Sequence, residues 1–139
     1  RPTLVLRRAV TLLRFHSQKQ EVPMSIKHAN PSEVIHLQPL GSEIGRTKTS
    51  TLFKTEVMEA IRLVLPAGKQ IAEHKAPGEI TVFCLEGRVK FTSQGEAKEL
   101  LAGDLLYLTA AAPHAVEAVD DSTVLVTILL KGSVNRTAD

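Results

Sequence analysis

From Met24 onward, turn-forming residues divide the sequence into short segments, and this spacing limits the possible folds more than any other feature. Pro66-Ala67-Gly68 ends the apolar segment 58–65, and Pro77-Gly78 ends the segment 69–75. The predicted strands are residues 58–65, 69–75, 80–85, 88–92, 100–101, 105–108, 114–119 and 123–130. Several short strands separated by turn signals are typical of an all-β sandwich or barrel. From Met24 onward, only residues 55–61 have a helical pattern, which is short and ambiguous, so the sequence predicts an all-β fold for this part of the chain.

The Glu86-Gly87 pair between two of these segments predicts a β-hairpin turn. Pairing across that turn would give one wholly apolar face and one face of mixed polarity. The apolar face would consist of Ile80, Val82, Cys84, Val89 and Phe91. Because side chains alternate along a strand, we expect all five to point into the core.

Composition and charge exclude several classes of protein. With 139 residues, 43% hydrophobic and 23% charged, the chain is neither disordered nor collagen-like, and its length suits one domain. The single cysteine excludes an internal disulfide framework and a cysteine-rich zinc module. No apolar run approaches the roughly 18 residues that span a bilayer, and we expect a cytoplasmic protein without a membrane span.

The basic character belongs to residues 1–23, which carry five basic side chains and one acidic side chain. The other 116 residues carry 12 basic and 14 acidic side chains, so no basic surface for nucleic acid is expected. Residues 1–23 form an amphipathic pattern, open to three interpretations: a non-native or flexible extension, a transit or membrane-surface segment, or a structural helix. The predicted division is 1–23 as extension, 24–132 as β-barrel and 133–139 as tail.

Two segments resemble the paired motifs of the cupin superfamily. In the first, Gly68 is followed after five residues by His74, and Gly87 closes the motif. In the second, Gly103 precedes His114, which lies in an Ala-Pro-His triplet. The resemblance covers about residues 58 to 130. It implies a double-stranded β-helix, the RmlC-like jelly-roll barrel, and a homodimer paired through edge strands.

The resemblance also implies a metal site, but with an incomplete set of ligands. His74 and His114 match two ligand positions of the family, whereas Ala76 and Ile80 occupy the positions of a second His and a Glu. Glu79 joins the site only if a β-bulge turns it inward. Two imidazoles alone would hold a divalent transition metal (Fe, Mn, Ni or Zn) weakly and with little selectivity, so no cofactor is certain.

We therefore expect a small cupin that binds a small molecule in its barrel as a non-catalytic binding or sensor module. His74 and His114 would converge at the mouth of the pocket from separate sheets. The interior would be lined by Ala76, Ile80, Val82 and Phe91. Fold alone does not select a ligand.

Two catalytic alternatives stay open, so whether the chain is an enzyme is uncertain. One is a metal-dependent oxygenase or isomerase that uses His74 and His114. The other is metal-free acid/base catalysis by the same histidines, with Tyr107 as the candidate acid partner. We nevertheless expect Tyr107 to be buried for packing, and Cys84 to be a small buried hydrophobic residue.

Overall fold

Residues 27–130, the part of the chain that the computed structural model describes, form nine β-strands and one short 3-10 helix. The helix is Gly41–Arg46. The strands are β1 (Ser50–Lys54), β2 (Met58–Leu65), β3 (Gln70–His74), β4 (Ile80–Glu86), β5 (Arg88–Ser93), β6 (Glu96–Leu101), β7 (Leu105–Leu108), β8 (His114–Ala118) and β9 (Ser122–Leu129). The predicted extension 1–23 and tail 133–139 lie outside the described residues.

The strands form two antiparallel sheets that enclose the core. One sheet has the order β1-β2-β9-β4-β7 and the other the order β3-β8-β5-β6. From β2 to β9 most connections carry the chain from one sheet to the other, which is the winding of a jelly roll. The predicted all-β double-stranded β-helix is thereby confirmed.

Most predicted strands agree with the observed ones to within a residue or two, and β6 is the main exception. It begins at Glu96, four residues before the predicted segment 100–101. Leu100 is the only buried residue of β6, because this strand lies at the edge of its sheet. An edge strand with polar side chains has no apolar alternation by which the sequence could reveal it.

The predicted hairpin between β4 and β5 is wrong. β4 pairs with β7 and β9, whereas β5 pairs with β6 and β8 in the other sheet. The chain changes sheets at Gly87, whose φ is 91°. There the backbone packs so closely on Asp121 and Ser122 that a Cβ would overlap their oxygen atoms. The Arg88 N–H donates to Ser122 Oγ at 2.9 Å, which holds the start of β5 against the β8–β9 connection.

The predicted inward face is nevertheless confirmed. Alternation within each strand does not depend on the strand's partner, so the same side chains point inward in either arrangement. Their exposed fractions lie between 0 and 3% for Ile80, Val82, Cys84, Val89 and Phe91. These residues face each other across the barrel instead of lying side by side in one sheet.

A β-bulge before Glu86 places this residue opposite Thr123, and its carboxylate lies half-buried beneath the segment before β1. The carboxylate accepts hydrogen bonds from the N–H groups of Leu40 (2.7 Å) and Gly41 (3.2 Å) and from the Thr123 hydroxyl (3.0 Å). Burial alone would raise the pKa of Glu86, but these hydrogen bonds and the nearby Arg62 charge lower it below its ordinary value. Glu86 thus fastens the segment before β1 to the barrel.

Candidate functional site

A cavity of about 330 Å³ lies between the two sheets. Most of its lining side chains are apolar and come from β2, β4, β5, β8 and β9. The polar or charged lining residues are Glu59, His74, Lys75 and His114. A mostly apolar cavity with a few polar groups is the usual form of a small-molecule site.

All four residues predicted to line the interior do line this cavity: Ala76, Ile80, Val82 and Phe91. Cys84 lies two residues beyond Val82 on the same face of β4, but it is fully buried and does not line the cavity. Burial, followed by the Asp104 charge, raises the pKa of the Cys84 thiol, so the protonated form is favoured. The expectation that Cys84 is a small buried hydrophobic residue agrees with this position.

The structure brings His74 and His114 together. Their ring centroids are 4.3 Å apart and the rings are tilted by 59°. They are register partners on β3 and β8, so the expectation that they come from separate sheets is wrong. The cause lies at the start of β3: the Gly68 N–H donates to the Ala118 carbonyl at 2.8 Å, which holds β3 beside β8.

Both imidazoles are oriented by the same local hydrogen bond. His114 Nδ1 is 2.9 Å from the Ala112 carbonyl oxygen, and His74 Nδ1 is 3.0 Å from the Ala72 carbonyl oxygen. Because a carbonyl oxygen can only accept, each Nδ1 carries the proton. In a neutral imidazole this leaves a lone pair on Nε2.

The two rings differ in their surroundings. His114 is 5% exposed and stacks on Phe91, with ring centroids 5.6 Å apart and an interplanar angle of 9°. His74 is exposed at the rim of the cavity. Burial lowers the pKa of His114, and the His74 charge acts in the same direction, while the hydrogen bond to Ala112 opposes both. The site therefore favours neutral His114.

The residues present do not fit a tightly held metal ion. Within residues 27–130, no group of three or more His, Cys, Asp and Glu side chains is placed to hold one. Ala76 and Ile80 contribute hydrocarbon where the resemblance would place ligands. Glu79 is exposed and lies beside Thr81 in a groove on the outer surface, rather than lining the cavity.

Tyr107 lies away from both histidines, and the expectation that it is buried is wrong. It lies on the outer face of β7, opposite Thr81, and is 69% exposed. Its neighbours Leu106 and Leu108 pack against the core instead. The segment 105–108 is apolar throughout, so its sequence does not show which alternate residues point inward.

Two charged residues that sequence reasoning missed, Glu59 and Lys75, also line the cavity. Glu59 has the same parity on β2 as the lining residues Ile61 and Leu63, and its carboxylate accepts a hydrogen bond from the Thr51 hydroxyl at 3.0 Å. The alternation of β2 could have indicated Glu59. Lys75 lies just after β3 and carries no comparable signal.

Comparison with known proteins agrees with this fold. The family model described as a cupin domain matches residues 61–130, half of the chain. The chain belongs to the cupin family. No functionally curated protein matches it at a significant level. Within residues 27–130, no helix is long and apolar enough to cross a membrane.

Several solved structures share the fold. A conserved protein of unknown function from Streptococcus pyogenes is similar with a TM-score of 0.63 and 23% identity, covering 78% of this chain and 98% of that one. A cupin superfamily protein from Desulfitobacterium hafniense is similar with a TM-score of 0.58 and 17% identity, covering 81% of this chain and 94% of that one. An RmlC-like cupin from Desulfovibrio desulfuricans has a TM-score of 0.57 and 24% identity, covering 77% of this chain and 99% of that one. At these identities the likeness extends to the fold alone.

Proposed function

We propose that this chain is a non-catalytic cupin that binds a compact, mostly apolar small molecule in its barrel. The observation that carries the proposal is the cavity of about 330 Å³, whose hydrocarbon lining is interrupted by a histidine pair. An apolar lining supplies the driving force for binding, while a few polar groups fix the orientation of the ligand.

The donor set favours this function over a metal-dependent oxygenase or isomerase. His74 and His114 are neighbours, but Ala76 and Ile80 have no lone pair to offer at the two remaining ligand positions of the family. A transition metal would have only two protein ligands and would be held in competition with water and buffer. The same two side chains instead extend the apolar lining that an organic ligand would contact.

Binding is tested with toluene, an apolar probe without a polar head, by NMR titration of the 15N-labelled protein. We expect the amide resonances of Val82 and Phe91 to shift, because both residues line the cavity. Ala76→Phe should weaken binding at least tenfold by filling space at the cavity lining. The matched control is Ala97→Phe, at an exposed position on β6, and it should bind as the wild type does. Wild-type protein that does not bind toluene would contradict the proposal.

Metal analysis of protein purified without an affinity tag tests the alternative. We expect much less than one Fe, Mn, Ni or Zn ion per chain. A stoichiometric metal that disappears when His74→Ala and His114→Ala are combined would instead support the metal-dependent enzyme.

One observation favours a second candidate, metal-free acid/base catalysis. His114 is buried, its pKa is lowered, and Nε2 is available as a base. Tyr107 lies outside the cavity, however, so the acid partner suggested by the sequence does not reach a ligand there. Catalysis of this kind predicts turnover that survives chelators and is lost in His114→Ala.

A further inference from the structure

The paired histidines offer acceptors rather than donors to the cavity. Their Nδ1 protons are both used on backbone carbonyls, those of Ala72 and Ala112. Among residues 27–130, neither Nε2 has a hydrogen-bond partner. In their neutral forms the two rings therefore present two adjacent lone pairs, with ring centroids 4.3 Å apart.

The surroundings of the histidine pair do not favour an anionic ligand. Two lone pairs repel a carboxylate, and the buried position of His114 disfavours the imidazolium form that would attract it. The two charged side chains of the lining, Glu59 and Lys75, have opposite signs, so together they add no net charge to the cavity. A neutral ligand group that donates hydrogen bonds would instead satisfy the lone pairs without desolvating a charge.

We infer that the molecule bound in the cavity has an apolar body and a neutral hydrogen-bond-donating head directed at the Nε2 atoms of His114 and His74. A hydroxyl, the simplest such head, donates its one proton to either of them. This inference rests on the proposed binding function and adds the chemistry of the ligand's polar end. The donated hydrogen bond fixes the orientation of the ligand, with its hydrocarbon toward Val82 and Phe91.

Three probes of similar size separate the possible head groups: 1-hexanol, its isomer methyl pentyl ether, and hexanoate. Each is titrated into full-length 15N-labelled protein treated with a chelator, at pH 8, where imidazole side chains are in general neutral. We expect 1-hexanol to bind about fivefold tighter than the ether, which is the usual worth of one hydrogen bond. Hexanoate should bind more weakly than 1-hexanol.

Histidine variants test whether the pair causes this preference. When His74→Leu and His114→Leu are combined, the ratio of the ether to the hexanol dissociation constant should fall toward one, while binding of the ether persists. Retained ether binding also shows that the variant has folded with its cavity intact. His36→Leu, at an exposed position before β1, makes the same replacement away from the cavity and should keep the wild-type ratio.

The outcomes that overturn the inference are distinct from those that overturn the proposed function. Tightest binding by hexanoate, equal binding of 1-hexanol and the ether, or a preference for 1-hexanol that requires added Zn²⁺ would each refute the donor head. The same holds for a preference for 1-hexanol that survives when both cavity histidines are replaced. If none of the three probes binds, the proposed binding function fails as well.

Discussion

The two ends of the barrel are built from the same strands but differ in how their interiors are filled. At one end, which we call the closed end, Leu65, Cys84 and Ala118 are fully packed, and the turn at Gly87 lies directly on Ser122. At the other end, which we call the open end, the cavity is lined by residues that lie two positions earlier on the same strands, such as Leu63 and Val82.

This difference shows that inward-pointing hydrocarbon has two roles in one small barrel. At the closed end it is packed against hydrocarbon on all sides, where it contributes most to stability. At the open end part of the same kind of surface faces a void, so fewer dispersion contacts are formed and a ligand can form them instead. With the proposed function, stability and binding are thus assigned to opposite ends of shared strands.

The largest effect is expected from Gly87→Ala at the closed end. The new Cβ would overlap oxygen atoms of Asp121 and Ser122 at a φ of 91°, so we expect a loss of about 4 kcal/mol in the free energy of unfolding. Urea unfolding of the variant and the wild type measures this loss. Gly95→Ala is the control, because Gly95 has a φ of 76° but no atom near the added Cβ. It should cost about 1–2 kcal/mol, the left-handed strain alone. Equal losses would show that the close contact at Gly87 is unimportant.

A matched pair on β2 compares the two ends directly. Leu65→Ala removes a fully packed side chain and should lower the free energy of unfolding by about 3 kcal/mol. Leu63→Ala removes a half-buried side chain that lines the cavity and should cost about 1–2 kcal/mol. Chemical denaturation of both variants measures the two losses in the free energy of unfolding. A larger loss for Leu63→Ala than for Leu65→Ala would contradict the division between a closed and an open end.

The fold could be predicted because its signals are local. Turn residues such as Pro66 and Gly68 divide the strands, and alternation within β4 and β5 identifies the inward face. The assignment of β4 and β5 to different sheets could not be predicted, because the pair Glu86-Gly87 is compatible both with a hairpin turn and with a change of sheet. The chain at this point instead contacts Ser122, more than thirty residues away, and no local pattern reveals that contact.

The candidate site could be predicted only in part for a similar reason. His74 and His114 occupy histidine positions of the two cupin motifs, so the resemblance of these segments to the family identified both residues. The acceptor character of the pair depends instead on the carbonyls of Ala72 and Ala112, which act through backbone conformation and not through residue type. Glu59 escaped notice because β2 begins in an ambiguous stretch, residues 55–61.

A smaller effect is expected from Glu86→Gln, next to the closed end, where the carboxylate is half-buried beneath the segment before β1. Since the pKa of Glu86 is lowered in the folded protein, the ionised carboxylate stabilises the fold above the ordinary Glu pKa of about 4.3, and this stability is lost as pH falls below it. We expect a loss of about 1–2 kcal/mol at pH 7 that narrows in acid, measured by urea unfolding across pH. Glu96→Gln, at an exposed position on β6, should have little effect. A pH-independent difference for Glu86→Gln would contradict the role of its charge.

The smallest effect concerns the open end, where burial lowers the pKa of His114. The folded protein then binds fewer protons than the unfolded chain, whose histidines titrate near about 6.5. The contribution of His114 to the free energy of unfolding is therefore complete above that pH. It declines as the pH falls from there toward the lower pKa that His114 has in the folded protein. NMR titration of the His114 ring should give a midpoint below about 6.5, and His114→Leu should flatten the pH dependence in this window. A midpoint above this value would mean that the imidazolium is stabilised at the cavity, and the open end would then suit an anion better than a neutral donor.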